Sequence, residues 1–99
     1  MRQTLIDYYR AIEDASVQML RAAQAENWDE MARLEGTCAV LIEQLRYQSR
    51  SDSLLPEQKT EKTAIMQRIL SNDAQVRNLA EPWMAHFEKK FSHLQQLLH

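Results

Sequence analysis

Cys38, the histidines His86 and His93, and the adjacent carboxylates Glu13-Asp14 and Asp29-Glu30 are the residues whose types lend themselves to chemistry. A nucleophilic thiol needs an exposed, electropositive setting. Cys38 instead falls in phase with Met31, Leu34, Leu41 and Leu45, where a cysteine acts as a small hydrophobe. His86 and His93 share a helical face, but neither their spacing nor the nearby acids form a recognisable metal site. They read as interfacial or solvated histidines that titrate near neutral pH. Neighbouring carboxylates on a helix point different ways, so neither acidic pair makes a general acid and base. A single glycine leaves no Gly-rich phosphate loop. Nothing brings a nucleophile, a base and an oxyanion site together. The expected function is not enzymatic, with no catalytic residue, no metal and no cofactor.

The same scarcity of glycine bears on the fold. Hairpin turns draw on Gly, Pro and Asn-Gly pairs, and one Gly with two Pro in 99 residues cannot supply the corners of a sandwich or barrel. With 44% hydrophobic and 26% charged residues, the composition is that of a folded soluble domain of helices. The longest apolar runs, such as Ala39-Val40-Leu41-Ile42 with Cys38 before it, are far short of the roughly 20 residues of a membrane span, so no membrane insertion is expected. The first residues, Met1-Arg2-Gln3-Thr4-Leu5-Ile6-Asp7, lack the apolar core of a signal peptide. One cysteine excludes an intramolecular disulfide and fits a reducing compartment. A net charge of -2 argues against direct binding to nucleic acid. A small cytoplasmic all-α protein is expected.

Three helical segments follow from the apolar spacing. Leu5, Tyr8, Ile12, Ala15, Met19 and Ala22 form the first stripe, with Thr4 and Asp7 placed as a cap, giving a helix over about 4–25. Its facing side is rich in alanine, which lets a neighbour approach closely. Met31, Leu34, Cys38, Leu41 and Leu45 form the second, over about 28–48. Asn27 caps it, and Glu30 is expected to reach back in a capping box. The link between the two is short, so they form an antiparallel hairpin. Gly36 inside the second stripe is either a tolerated residue or a close-packing point. After the polar stretch Gln48-Ser49-Arg50-Ser51-Asp52-Ser53, Pro56 opens a third helix over about 56–97. Ser71-Asn72-Asp73 resembles a cap and Pro82 is a helix breaker, but the stripe keeps its phase across both. One long helix bent near Pro82 is favoured, with a fourth helix starting there as the alternative. The architecture is therefore an antiparallel helical hairpin plus a long third helix, kinked or broken near Pro82, in a three- to four-helix bundle.

Lengths then matter. The first two helices span about 35 Å each and an unbroken third about 60 Å, so the third passes the end of the hairpin near Leu79. Beyond it lie Trp83, Met84, Phe87, Phe91, Leu94, Leu97 and Leu98, an apolar stripe that demands a cover. Self-association or a partner helix is expected, with fold-back at Pro82 the lesser alternative. The candidate binding residues are Leu41, Leu45, Ile65, Met66 and Ile69, from a groove between helices two and three. Trp83, Met84, Phe87 and Phe91 of the overhang join them. Flexible methionine beside aromatics suits a surface that accepts amphipathic helices. Trp28 is assigned to the core beside the turn.

The stretch from Ala22-Ala23-Gln24-Ala25-Glu26-Asn27-Trp28-Asp29-Glu30-Met31 through Leu34-Glu35, with Cys38 and Leu41-Ile42-Glu43, resembles the flagellar export chaperone FliT family. So does Arg68-Ile69-Leu70-Ser71-Asn72-Asp73-Ala74-Gln75-Val76-Arg77-Asn78-Leu79, followed by Glu81-Pro82-Trp83-Met84. The likeness covers nearly the whole chain apart from the linker. It implies a cytoplasmic chaperone of flagellar type III export that binds the C-terminal region of the filament-cap protein FliD and prevents its premature assembly. The family is also known to contact the export ATPase complex and the export gate, and some members sequester the master transcription factor FlhDC. Longer members carry a further C-terminal helix that modulates partner access, a switch expected to be missing from a chain that stops at His99. A regulator of FlhDC and a helical dimerisation module are the alternative readings.

Overall fold

The computed structural model describes residues 4–83. They form α1 (Leu5–Gln24), α2 (Trp28–Gln48) and α3 (Pro56–Ala80), followed by one turn of 3-10 helix at Glu81–Trp83. There is no strand among the described residues. The helices pack on one another as an all-α bundle.

Each helix start has a local cause. The Asp7 carboxylate accepts from the Thr4 backbone N–H at 3.1 Å and from the Thr4 hydroxyl at 2.9 Å, which occupies a free amide at the start of α1. Asn27 caps α2 by accepting from the Glu30 N–H at 3.2 Å. The reciprocal half of the expected box is absent, because the Asn27 N–H already donates to the Ala22 carbonyl at 2.8 Å. Glu30 turns instead to the Arg33 guanidinium one turn on. At α3, Pro56 sits where no helical hydrogen bond is lost, and the Gln58 side chain accepts from the Leu55 N–H at 2.9 Å.

The corner between α1 and α2 is tight. Glu26 N–H donates to the Ala23 carbonyl and Asn27 N–H to the Ala22 carbonyl, the two bonds of a Schellman ending. Glu26 holds the left-handed position of that motif, with φ at 56°, which glycine would occupy without steric penalty. The link to α3 is longer but also fastened. Gln48 donates to Asp52 at 2.8 Å, Ser51 and Asp52 amides return to the Gln48 carbonyl, and Leu54 packs against the core.

The placement of the helices decides the architecture. α2 and α3 each pack against α1 and not against each other. The paired residues rise together along α1 and α3, Arg10 with Glu61, Glu13 with Arg68 and Ser16 with Asn72, so these two helices are parallel. α1 consequently buries two adjoining faces, carried by Leu5, Ile12, Ala15, Ser16, Met19, Ala22 and Ala23. Met31, Leu34, Cys38, Ile42 and Leu45 answer from α2, and Ile65, Ile69, Val76 and Ala80 from α3. Ile12, Met19, Met31, Ile65 and Ile69 are fully buried, and truncating such a side chain to alanine costs about 2–5 kcal/mol.

The same register shows where α3 ends relative to the hairpin. Asn72 lies level with Ser16, so Ala80 lies level with Gln24, the last residue of α1. The hydrogen bonding changes there from α to 3-10, two residues before Pro82, whose ring would crowd the carbonyl of Asn78 in a regular α-helix, while Glu81 keeps helical φ and ψ of -47° and -45°. The expected third helix ran to residue 97; its portion beyond Trp83 lies outside the described residues. Ser71-Asn72-Asp73 caps nothing: α3 runs through it, with Asn72 and Asp73 turned inward.

Gly36 is the other local surprise. It is exposed, and a β-carbon built on it would meet nothing within 4 Å, so no intramolecular close packing accounts for it. Gly36→Ala should therefore raise unfolding free energy by about 1 kcal/mol in dilute solution. Glu26→Gly should raise it by up to about 1 kcal/mol through relief of the left-handed conformation. Urea denaturation followed by circular dichroism measures both; a loss of stability in either variant would contradict the local geometry described.

Candidate partner-binding surface

The sequence-derived binding residues occupy different environments. Leu45, Ile65 and Ile69 are buried in the core beneath α2 and α3. Leu41 is half-buried and packs on that core, and Met66 is half-exposed on α3. Trp83 ends the 3-10 turn, while Met84, Phe87 and Phe91 lie outside the described residues. α2 and α3, the helices expected to frame a groove, flank α1 on separate faces. Trp28 is half-buried against the core beside the α1–α2 corner.

Other apolar side chains reach solvent. Tyr47 is 74% exposed and Val40 56%, both on the outward side of α2. Leu70 and Leu79 are exposed on α3, and Leu55 just before it. Sequence reasoning placed Leu70 and Leu79 on the stripe of the third helix, but missed Val40 and Tyr47 because it followed the strongest stripe of the second. The signal was present: Val40 and Tyr47 share a phase with Gly36 and fall opposite Leu34, Leu41 and Leu45.

Charge is concentrated where α1 meets α3. Arg10 grips Glu61 with two parallel bonds, Nε to Oε2 at 2.6 Å and Nη2 to Oε1 at 2.8 Å. Arg68 forms the same fork on Glu13, and Asn72 donates to the Ser16 hydroxyl at 3.1 Å. The Ser16 hydroxyl in turn donates to the Glu13 carbonyl at 2.6 Å. The hydrogen bonds from Arg10 hold the Glu61 carboxyl below its ordinary range, and those from Thr4 do so for Asp7. Lys62 adds a cation–π contact, its ammonium 5.5 Å from the centre of the Tyr9 ring.

Two buried groups have unusual surroundings. The Asp73 side chain is 5% exposed and takes one bond from Arg77 Nε at 3.0 Å, while its Oδ1 has no hydrogen-bond partner among the described residues. Burial pushes its carboxyl pKa up, and the Arg77 guanidinium pulls against that. The Cys38 thiol is buried against the Met19 sulfur at 3.7 Å. Burial, with Glu35 one turn away, pushes its pKa up to about 12. That thiol stays protonated at any ordinary pH and is a packing group, not a nucleophile.

No group of His, Cys, Asp and Glu able to hold a metal ion exists among the described residues, and none of the described helices is long and apolar enough to cross a membrane. The family profile for flagellar protein FliT matches residues 6–98, nearly the whole chain. The chain belongs to the FliT family. A flagellar protein FliT of Photorhabdus laumondii subsp. laumondii is 30% identical over 99 residues, covering 98% of this chain and 79% of that protein. No solved structure matches. For this FliT-family chain, the match joins the described helices to the segment beyond Trp83 in one family pattern.

Two measurements check the buried groups. Cys38 should react with a thiol reagent at about pH 8 only as fast as the bundle opens, and at once in denaturant; rapid native labelling would contradict its burial. Asp73 has a folded pKa above its unfolded value, so it favours the folded state more as pH falls toward that value, whereas Asp7 and Glu61 favour it less. Asp73→Asn removes only the first effect. The variant should lose more stability than the parent between about pH 7 and about pH 4.5, read by urea titration at both ends.

Proposed function

We propose that this chain is a chaperone of flagellar type III export, acting in the cytoplasm on the filament-cap protein FliD. It binds the C-terminal region of FliD and keeps it from assembling before export. The observation that carries this reading is the FliT-family match across residues 6–98. The helical bundle supports it physically, because exposed Leu70 and Leu79 on α3 lead toward a segment whose sequence carries Trp83, Met84, Phe87 and Phe91. An amphipathic helix of the cap protein would set its apolar face on such a stripe. Buried Leu45, Ile65 and Ile69 then act from beneath, by fixing the surface, while Leu41 and Met66 offer partial contact area. Contacts with the export ATPase complex and with FlhDC belong to the same proposal as secondary partners, as does self-association.

Calorimetric titration with the C-terminal region of FliD is the direct test. The parent chain should bind, and Phe87→Ser with Phe91→Ser should weaken binding by at least about tenfold at unchanged helicity, since buried aromatics carry such interfaces. Unaltered affinity in that variant would remove the aromatic segment from the site. Absence of binding by the parent, with capture of FlhDC in its place, would favour the regulator.

A further inference from the structure

α1, α2 and α3 stand at three corners of a square. α2 and α3 pack on adjoining faces of α1 and not on each other, which leaves a fourth corner, diagonal to α1, where none of the described elements stands. Two acids are buried at its edges. Glu35 on α2 is 2% exposed and Asp73 on α3 is 4% exposed. Glu35 lies to one side of the Leu34, Cys38 and Leu45 line that meets α1, in phase with half-buried Ala32 and Ala39. Asp73 lies to one side of the Ile65, Ile69 and Val76 line, in phase with half-buried Met66 and Arg77 and away from the forks of Glu61 and Arg68. With α2 antiparallel and α3 parallel to α1, both of these sides look into the fourth corner. A helix that meets one neighbour buries one stripe, and these two are covered beyond it. The α2–α3 linker does not supply the cover. Ser51 to Ser53 line a cavity with Thr4 and Leu5, about 18 Å by register from Asp73.

We propose that residues 84–99 of the same chain turn back at Pro82 and fill this corner as a fourth helix, antiparallel to α3. Position, length, pattern and charge all favour this occupant. The segment starts at the right end, because Ala80 lies level with Gln24 and the α pattern of hydrogen bonds stops before Pro82. As a helix, residues 84–99 span about 24 Å, against about 30 Å for α1. Met84, Phe87, Phe91, Leu94 and Leu98 make one apolar stripe to set between α2 and α3. Cys38 against Met19 and Asn72 against Ser16 fix the levels. Run backwards from Pro82, the segment brings His86 level with Glu35 and Lys90 level with Ala39 along the α2 edge. Along the α3 edge it brings Glu88 level with Arg77. A basic edge thus faces the buried acid of α2, and an acid faces the guanidinium of α3. The stripe is the one that the capture reading offers to the cap protein. On that reading, on which this last step rests, a captured helix takes over from α2 and α3 the contact with Phe87 and Phe91.

Cysteine pairs in the full chain test the placement. Ala39→Cys with Lys90→Cys should oxidise to a disulfide within one chain, since the two positions face each other at one level. Cys38, buried against Met19, takes no part. Ala39→Cys with Leu98→Cys, about 12 Å further along the corner, should oxidise at least about tenfold more slowly. A bridge formed only between chains, or equal rates for the two pairs, overturns the fold-back. Hydrogen exchange of the unmodified chain is the second measurement. The amides of Phe87 to Leu94 should be protected at least about a hundredfold, and exchange as free as that of a solvated helix end overturns the proposal. Calorimetry with the C-terminal region of FliD then separates the two readings. The oxidised Ala39→Cys, Lys90→Cys chain should bind at least about tenfold more weakly than its reduced form. Equal affinities with the bridge in place would overturn the exchange and leave the fold-back standing.

Discussion

One helix serves as the inner wall for both of its neighbours, and the rest of the bundle follows from that constraint. α1 offers adjoining buried faces, one for α2 running against it and one for α3 running with it. The α2 side is mostly apolar, with Met19 against Cys38, and its small residues Ala15 and Ala22 let the hairpin helices approach closely. The α3 side cannot rely on packing in the same way. Two helices running in the same direction have aligned dipoles, which mildly oppose their contact. Arg10 on Glu61 and Arg68 on Glu13 bind the edges of that contact with paired guanidinium–carboxylate bonds. These fix the register of α3 as well as its direction, since a shift by one residue breaks every fork at once.

The helical pattern was legible in the sequence because it rests on spacing. Leu5 through Ala22, Met31 through Leu45, and Ile65 through Val76 each hold the three-and-four rhythm, and only three helices result among the described residues. Asn27 and Pro56 were legible as starts because their chemistry is local. What spacing does not carry is the choice between satisfied alternatives. Glu30 can reach back to Asn27 or forward to Arg33, and the Ala22 carbonyl had already taken the Asn27 amide. Asn72 and Asp73 have cap-like side chains, but their partners, Ser16 and Arg77, lie on another helix and one turn on. Nor does spacing say which helix α3 will choose. Hence Leu45, Ile65 and Ile69, plausible as the lining of a groove, lie buried on separate helices around α1, while Val40 and Tyr47 emerge on the outside.

The polar groups inside the bundle bear on its uniqueness more than on its stability. Asp73 keeps an oxygen without a hydrogen bond among the described residues in a buried site, which a hydrophobic residue would fill at less cost. Together with the Ser16–Asn72 bond it leaves few acceptable rotations of α3 about its own axis. With no fully buried aromatic side chain among the described residues, the packing would otherwise have several near-equal solutions. Cys38 and Met19, sulfur against sulfur, occupy the apolar counterpart of that role between α1 and α2. Their softness tolerates small errors where the polar seam does not.

The direction of α3 also has a kinetic meaning. α1 and α2 meet through a tight corner, so their contacts close short loops and form early. α3 reaches α1 only across the whole of α2, and its fastenings join residues 51, 55 and 56 positions apart. Its two guanidinium forks stand in water, where salt screens them. On loop length alone, α3 is expected to dock after the hairpin and to open before it. Native-state hydrogen exchange would register this as a lower-energy opening of the amides from Pro56 to Ala80 than of those in α1 and α2. Leu70 and Leu79, exposed on α3, are thus carried by the element fastened across the longest loop.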